Sequence, residues 1–148
     1  MELREDGFWS VFSQDDAELR TCRPRPDVVL TVHRGYFGSP FVGPVVEAID
    51  QALREQKPVY VFHDWAALRG YEPNARARLT SWVFGRLRDI VSLDVLLTVD
   101  SRILTMGIAA SNLLLGGRMM VHPERVSFEE RLVHVLGHAL PGAVYPSP

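Results

Sequence analysis

The pattern of apolar and polar positions predicts strands that alternate with helices along the chain. Residues 27–33 are mostly β-branched and indicate a buried strand. Residues 42–53 place their apolar side chains on one helical face, and this helix ends before Pro58. Residues 59–63 and 93–99 are continuous apolar runs, which are typical of parallel strands covered by helices.

Further elements complete the predicted order. A helix follows Pro73 and runs to about Val91, and a third helix begins after Ser101 as N-cap and ends at Leu115, before two glycines. Three segments remain. An apolar run occupies residues 8–12, a short strand occupies residues 119–122, and a terminal helix with Ser127 as its N-cap occupies residues 127–136. Strands that alternate with helices favour right-handed crossovers and a mainly parallel sheet.

We therefore predict one α/β domain at residues 1–140. Its sheet is mainly parallel with four or five strands, an N-terminal strand is antiparallel, and there are four helices. Residues 141–148 form a proline-rich tail.

The predicted third helix carries more apolar side chains than one sheet face buries. Arg102, Thr105 and Asn112 form its only clear polar stripe, whereas a helix that covers a sheet needs an apolar stripe of about 100°. The helix is too short to span a membrane. The first hairpin or the proline-rich tail is one possible cover, but exposed apolar patches usually mark interaction sites. We favour a homo-oligomer whose interface comprises Ile103, Met106, Ala110, Leu113 and Leu114.

The composition excludes some classes of protein and indicates a cellular compartment. The 148 residues have a net charge of −2, which argues against a nucleic-acid binder. A single cysteine, Cys22, excludes an intramolecular disulfide and favours a reducing compartment. No signal peptide or membrane span is evident, so we expect a cytoplasmic protein.

Polar residues at the predicted strand ends offer a possible site. In a parallel sheet, ligands bind outside the carboxyl ends of the strands. Imidazoles and carboxylates there could hold a metal or act as general acids and bases. Alternatively, the carboxylates cap the following loops and the histidines bind loop carbonyls, and no close ligand spacing favours a metal. The set comprises His33, His63, Asp64, Asp100 and His122.

One stretch of the chain resembles a known family. This stretch is similar to the SpoIIAA-like branch of the STAS superfamily. It comprises Val-Tyr-Val-Phe-His-Asp-Trp at 59–65, then Leu68, Gly-Tyr-Glu-Pro at 70–73 and a predicted helix from Ala75 to Val91. The resemblance covers about residues 28–136. It implies the fold of that family and a non-enzymatic bacterial regulatory module that binds other proteins without a cofactor.

The chain lacks one feature of that family. Phosphorylation-switched members carry a serine at the start of the second core helix, where this chain has Glu-Pro-Asn-Ala at 72–75 and no hydroxyl. A phosphoserine switch is therefore not expected there, although the same helix end remains a docking candidate. Aromatic loop residues favour interfaces; as an alternative, Phe37 and Trp65 fill the edge of the core. The predicted partner-binding set is Tyr36, Phe37, Phe41, Trp65, Tyr71, Glu72 and Asn74.

These observations predict a protein-binding, self-associating regulatory module that catalyses no reaction. The alternative is a small-molecule or metal-binding protein, possibly a weak enzyme, that uses the polar strand ends.

Overall fold

A computed structural model describes residues 1–98 and 100–140. Within them the chain forms seven strands, β1 (Glu2–Asp6), β2 (Trp9–Gln14), β3 (Ala17–Arg25), β4 (Val28–Phe37), β5 (Val59–Tyr71), β6 (Ile90–Leu96) and β7 (Met119–His122). The four α-helices are α1 (Val42–Glu55), α2 (Pro73–Phe84), α3 (Arg102–Leu114) and α4 (Arg125–Leu136).

All seven strands belong to one mixed sheet in the order β1-β2-β3-β4-β5-β6-β7. The first four strands pair antiparallel, and β4 to β7 pair parallel through the crossovers α1, α2 and α3. The predicted α/β class with four helices is confirmed. The predicted four or five strands with one antiparallel strand were too few. Strand β1 is charged and exposed and carries no apolar pattern, and β3 was not predicted either.

The sheet is buried on both faces around the parallel strands. Val29, Val61 and Val95 face α1, α2 and α3 on one side, in a core that includes side chains of all three helices. Leu30 and Phe62 point to the other side, where α4 covers them. Successive side chains of a strand point to opposite faces, so two covered faces require the continuous apolar runs seen in the sequence.

Several predicted boundaries differ from the structure. Strand β5 continues eight residues beyond His63, and α2 ends at Phe84 so that β6 begins at Ile90. Ser101 is the N-cap of α3, as predicted, and its side chain accepts a hydrogen bond from the Leu104 amide. The predicted cap Ser127 lies inside α4, because the helix begins at Arg125, and the Ser127 hydroxyl donates to the Glu124 carbonyl. Val99 and the tail 141–148 lie outside the described residues.

None of the helices in the described part of the chain is long and apolar enough to cross a membrane.

Candidate functional site

The outer face of α3 is an exposed row of large apolar side chains. Ile103 is 76% exposed, Met106 64%, Leu113 82% and Leu114 65%. With the exposed Ala110, residues 103, 106, 110 and 113 follow the 3-4-3 spacing found along seams between packed helices. No charged side chain occurs between Arg102 and Arg118. We call this row the α3 seam.

The other sides of α3 are held by neighbouring elements. On the α2 side, Ser111 is buried and its hydroxyl accepts a hydrogen bond from Arg76 at 2.9 Å. On the β7 side, the Asn112 amide donates to the Met119 carbonyl at 3.1 Å and accepts from the Met119 amide at 2.9 Å. These contacts fix the rotation of the helix, and the α3 seam is therefore the side directed to solvent.

The aromatic residues predicted to bind a partner divide between core and surface. Phe37 and Phe41 are 5% and 3% exposed and pack edge-on against the His33 ring, so their predicted role as contact residues is wrong. The cause is that β4 extends to Phe37, which turns this side chain inward and leaves Tyr36 51% exposed.

The start of α2 supplies the remaining residues of the predicted partner-binding set. The Glu72 carboxylate accepts hydrogen bonds from the Ser39 amide at 3.0 Å and from the Ser39 hydroxyl at 2.8 Å, which lower the Glu72 pKa. Trp65 and Tyr71 are half-buried and Asn74 is exposed. We define the α2 rim as Tyr36, Tyr71, Glu72 and Asn74.

The polar residues at the strand ends do not converge. The register pairs Thr31 with His63 and Val32 with Asp64, which places His33 and His63 on the face of α1 to α3 and Asp64 on the α4 face. The Asp64 carboxylate accepts from Arg125 at 3.0 Å, and Asp100 is exposed in a loop. The prediction that the five residues form one site is wrong, because the sheet lies between its members.

Each of the three strand-end histidines has a partner that explains its position. Thr31 Oγ1 lies 2.5 Å from His63 Nδ1, and the His63 ring stacks on Trp65. His33 Nε2 hydrogen-bonds the Tyr36 carbonyl at 3.1 Å. His122 Nε2 donates to the buried Asp94 carboxylate at 2.8 Å.

Burial changes the pKa of two of these histidines. It lowers the pKa of both His33 and His63 to about 4, so both rings are neutral at pH 7. Across residues 1–98 and 100–140 no group of three or more His, Cys, Asp or Glu side chains has the arrangement of a metal site.

Arg76 connects α2 to α3. Its Nη1 donates to the Gly107 carbonyl at 3.2 Å and to Ser111 Oγ at 2.9 Å, and its guanidinium lies 5.6 Å from the centre of the Tyr71 ring. A small apolar cavity adjoins this bridge, between the sheet, α2 and α3. In the sequence, Gly107 was the residue that could have indicated this contact, since a glycine within a helix often marks a close approach of another element.

The architecture matches a known protein in the comparison with solved structures. A structure of the anti-sigma factor antagonist SpoIIAA in its unphosphorylated form aligns with a TM-score of 0.55 at 18% identity, over 82% of this chain and 99% of that one. The chain has a SpoIIAA-like fold. This confirms the fold that the sequence resemblance implied. No family model and no curated protein matches the chain.

Proposed function

We propose that this SpoIIAA-like chain is a non-enzymatic regulatory module of the cytoplasm that binds a protein partner and forms a homodimer through the α3 seam. The observation that carries the proposal is the row of four large apolar side chains on α3, each more than 60% exposed. Large exposed apolar patches on soluble domains mark protein contacts.

A second copy of the chain fits the α3 seam better than a charged partner does. The seam contains no ionic side chain, so two copies related by a twofold axis meet without repulsion between like charges. The small Ala110 lies between the larger Met106 and Leu113 and lets two helix backbones approach closely. Each copy then covers the apolar row of the other.

Light scattering of the purified protein tests the dimer. We expect a dimer at high micromolar concentration and a monomer for Leu113→Glu, because a buried carboxylate in the contact is costly. Leu113 is 82% exposed, so this variant keeps its own core. Thr105→Glu is the matched control, since Thr105 is exposed on the polar side of the same helix. A monomeric wild type, or an unchanged dimer in Leu113→Glu, would contradict the proposal.

The α2 rim is the proposed site of the protein partner. Tyr36 and Asn74 are exposed beside the half-buried Tyr71, and the Glu72–Ser39 hydrogen bonds hold the start of α2 against the end of β4. An aromatic group on a rigid support loses little side-chain entropy on binding. With Asn74 and Ala75 at the helix start, the proposed contact does not require a phosphoserine.

Comparative capture from the native host tests this surface. Wild type, Asn74→Arg and the control Gln51→Arg, at an exposed position of α1, serve as baits. A protein retained by wild type and Gln51→Arg but lost by Asn74→Arg is then purified, and its affinity for the three chains is measured. Equal affinity for all three would exclude the α2 rim as the docking surface.

A further inference from the structure

A cluster of arginines surrounds the connection from α2 to β6. Arg86 and Arg88 lie within this connection. Arg118 lies beside it, because its Nη2 donates to the Ile90 carbonyl at 2.9 Å. Arg88 and Arg118 are exposed. We call these three arginines and the neighbouring Phe84 the arginine turn.

The three arginines differ from most others of the chain because they lack an acidic partner. Each arginine before residue 73 and each arginine after residue 118 lies within 3.7 Å of a carboxylate. In the described part of the chain, no carboxylate lies within ion-pair distance of the arginines of the turn. Asp89, which lies in the same connection, pairs with Lys57 at 3.6 Å.

The charge of the chain is distributed unevenly. Residues 73–118 contain six arginines and three aspartates, whereas the rest of the chain contains ten basic and fifteen acidic residues. Of the three aspartates, Asp94 is buried and Asp89 is paired with Lys57. The arginine turn is therefore a cationic surface on a chain whose net charge is −2.

Exposed apolar side chains accompany these cations. Phe84, the last residue of α2, is 61% exposed, and Val91, near the start of β6, is 42% exposed. The Arg86 guanidinium lies 4.1 Å from the centre of the Trp82 ring and donates to the Trp82 carbonyl at 3.1 Å, so its position is fixed. Arginine and aromatic side chains are the residue types enriched at the centres of protein interfaces.

We propose that the arginine turn binds an acidic segment of a protein partner, with its carboxylates on the arginines and an apolar side chain against Phe84. Carboxylates match the planar guanidinium in geometry as well as in charge. An apolar ring among three cations fits a segment that contains both acidic and apolar side chains. An extended polyanion fits less well, since the acidic excess in the rest of the chain repels it.

The arginine turn and the α2 rim are different surfaces. The rim lies at the start of α2 and the turn at its end. The proposal therefore goes beyond the partner contact at the rim and is tested independently of it.

NMR titration of the ¹⁵N-labelled protein with a synthetic peptide tests the site. The peptide is short, has capped ends and contains glutamate and leucine, and a control peptide has glutamine in place of glutamate. We expect saturable shifts of amides in residues 84–91 with a Kd on the order of 1 mM for the glutamate peptide, and binding about tenfold weaker for the control. Equal binding of the two peptides, no saturable shift, or shifts confined to other elements would overturn the proposal.

Two double variants with the same net charge locate the contact. Arg88→Gln with Arg118→Gln is expected to weaken binding of the glutamate peptide by about fivefold. Arg34→Gln with Arg69→Gln removes two exposed arginines that already have acidic partners, and it should leave binding unchanged. An equal loss in both double variants would show that only net charge matters and would overturn the assignment to the arginine turn.

The apolar part of the contact is tested by Phe84→Ser. We expect this variant to weaken binding of the glutamate peptide by about threefold. Val126→Ser, at an apolar residue of α4 that is 64% exposed, should leave binding unchanged. Equal affinities of these two variants would overturn the role of Phe84.

Other anions distinguish the class of ligand. We expect no retention of the protein on vesicles that contain phosphatidylserine, and weaker binding of a single-stranded oligouridylate than of the glutamate peptide. Retention on the vesicles, or tighter binding of the oligouridylate, would overturn the assignment to a protein segment.

Discussion

At Gly107, α3 approaches Tyr71 so closely that a β-carbon would overlap the phenol hydroxyl. The same hydroxyl donates to the Ile103 carbonyl at 3.2 Å, so the contact also anchors the first turns of the helix. The residue therefore sets the distance between α3 and the end of β5.

We expect Gly107→Ala to lower the free energy of unfolding by about 1–3 kcal/mol, because Tyr71 must move to accommodate the methyl group. Gly43→Ala is the control: Gly43 is exposed in α1 and a β-carbon there meets nothing. That substitution should raise the free energy of unfolding by about 0.4–1 kcal/mol, since alanine restricts the unfolded chain. Urea unfolding measures both, and an unchanged stability of Gly107→Ala would show that Tyr71 is not fixed there.

The two buried histidines predict a dependence of stability on pH. Their pKa is about 4 in the folded chain and about 6.5 in the unfolded one, so the unfolded chain binds more protons between these values. The stabilisation is complete above pH 6.5 and is lost as the pH falls toward 4. Between pH 7 and pH 5 we expect each histidine to cost about 2 kcal/mol.

Chemical unfolding at pH 7 and pH 5 checks this loss. His63→Gln should remove about half of it, because glutamine does not titrate. Gln51→Asn, which replaces one non-titrating side chain by another at an exposed position of α1, should leave it unchanged. An equal loss in wild type and His63→Gln would contradict the assignment.

At the scale of elements, β2 and the apolar parts of the parallel strands were predictable, whereas β1, β3 and the second half of β5 were not. Residues 28–32 and 59–63 carry apolar runs that identify buried strands from sequence alone. In β1 and in the second half of β5, pairing with a neighbouring strand decides the conformation, and the local sequence carries no such signal.

Of the candidate sites, too, one part was predictable from the local sequence and another depends on the tertiary structure. The surplus of apolar residues on α3 was visible as a periodic pattern, since exposure follows from the helical repeat. The dispersal of the strand-end residues depends on the two-residue alternation along β5, which places His63 and Asp64 on opposite faces of the sheet. The cavity beside Arg76 arises from the packing of α2 on α3 and has no local signature.

The N-cap of α3 gives a prediction at this scale. Ser101→Ala should lower the free energy of unfolding by about 1 kcal/mol, because the Leu104 amide loses its acceptor. Ser101→Asp should restore stability, since aspartate also accepts this hydrogen bond. Ser81→Ala, at an exposed position of α2, is the control. Thermal unfolding compares the four proteins, and equal values for Ser101→Ala and Ser81→Ala would contradict the capping role.

For the whole molecule, the proposed dimer through the α3 seam predicts that stability depends on protein concentration. A contact made only by folded chains stabilises them by mass action, so the Tm of the wild type should rise with concentration. Leu113→Glu should have a Tm that does not depend on concentration, whereas Thr105→Glu should follow the wild type. Differential scanning calorimetry over a wide range of concentrations measures the three, and a wild-type Tm independent of concentration would contradict the dimer.

The two outer strands of the sheet differ in chemistry. At one end, β1 has the sequence Glu-Leu-Arg-Glu-Asp, and its ionic side chains discourage the addition of another strand. At the other end, β7 is Met-Met-Val-His and carries no carboxylate, lysine or arginine. The charges of β1 therefore oppose strand addition at its end of the sheet, whereas the side chains of β7 give the other end no such protection.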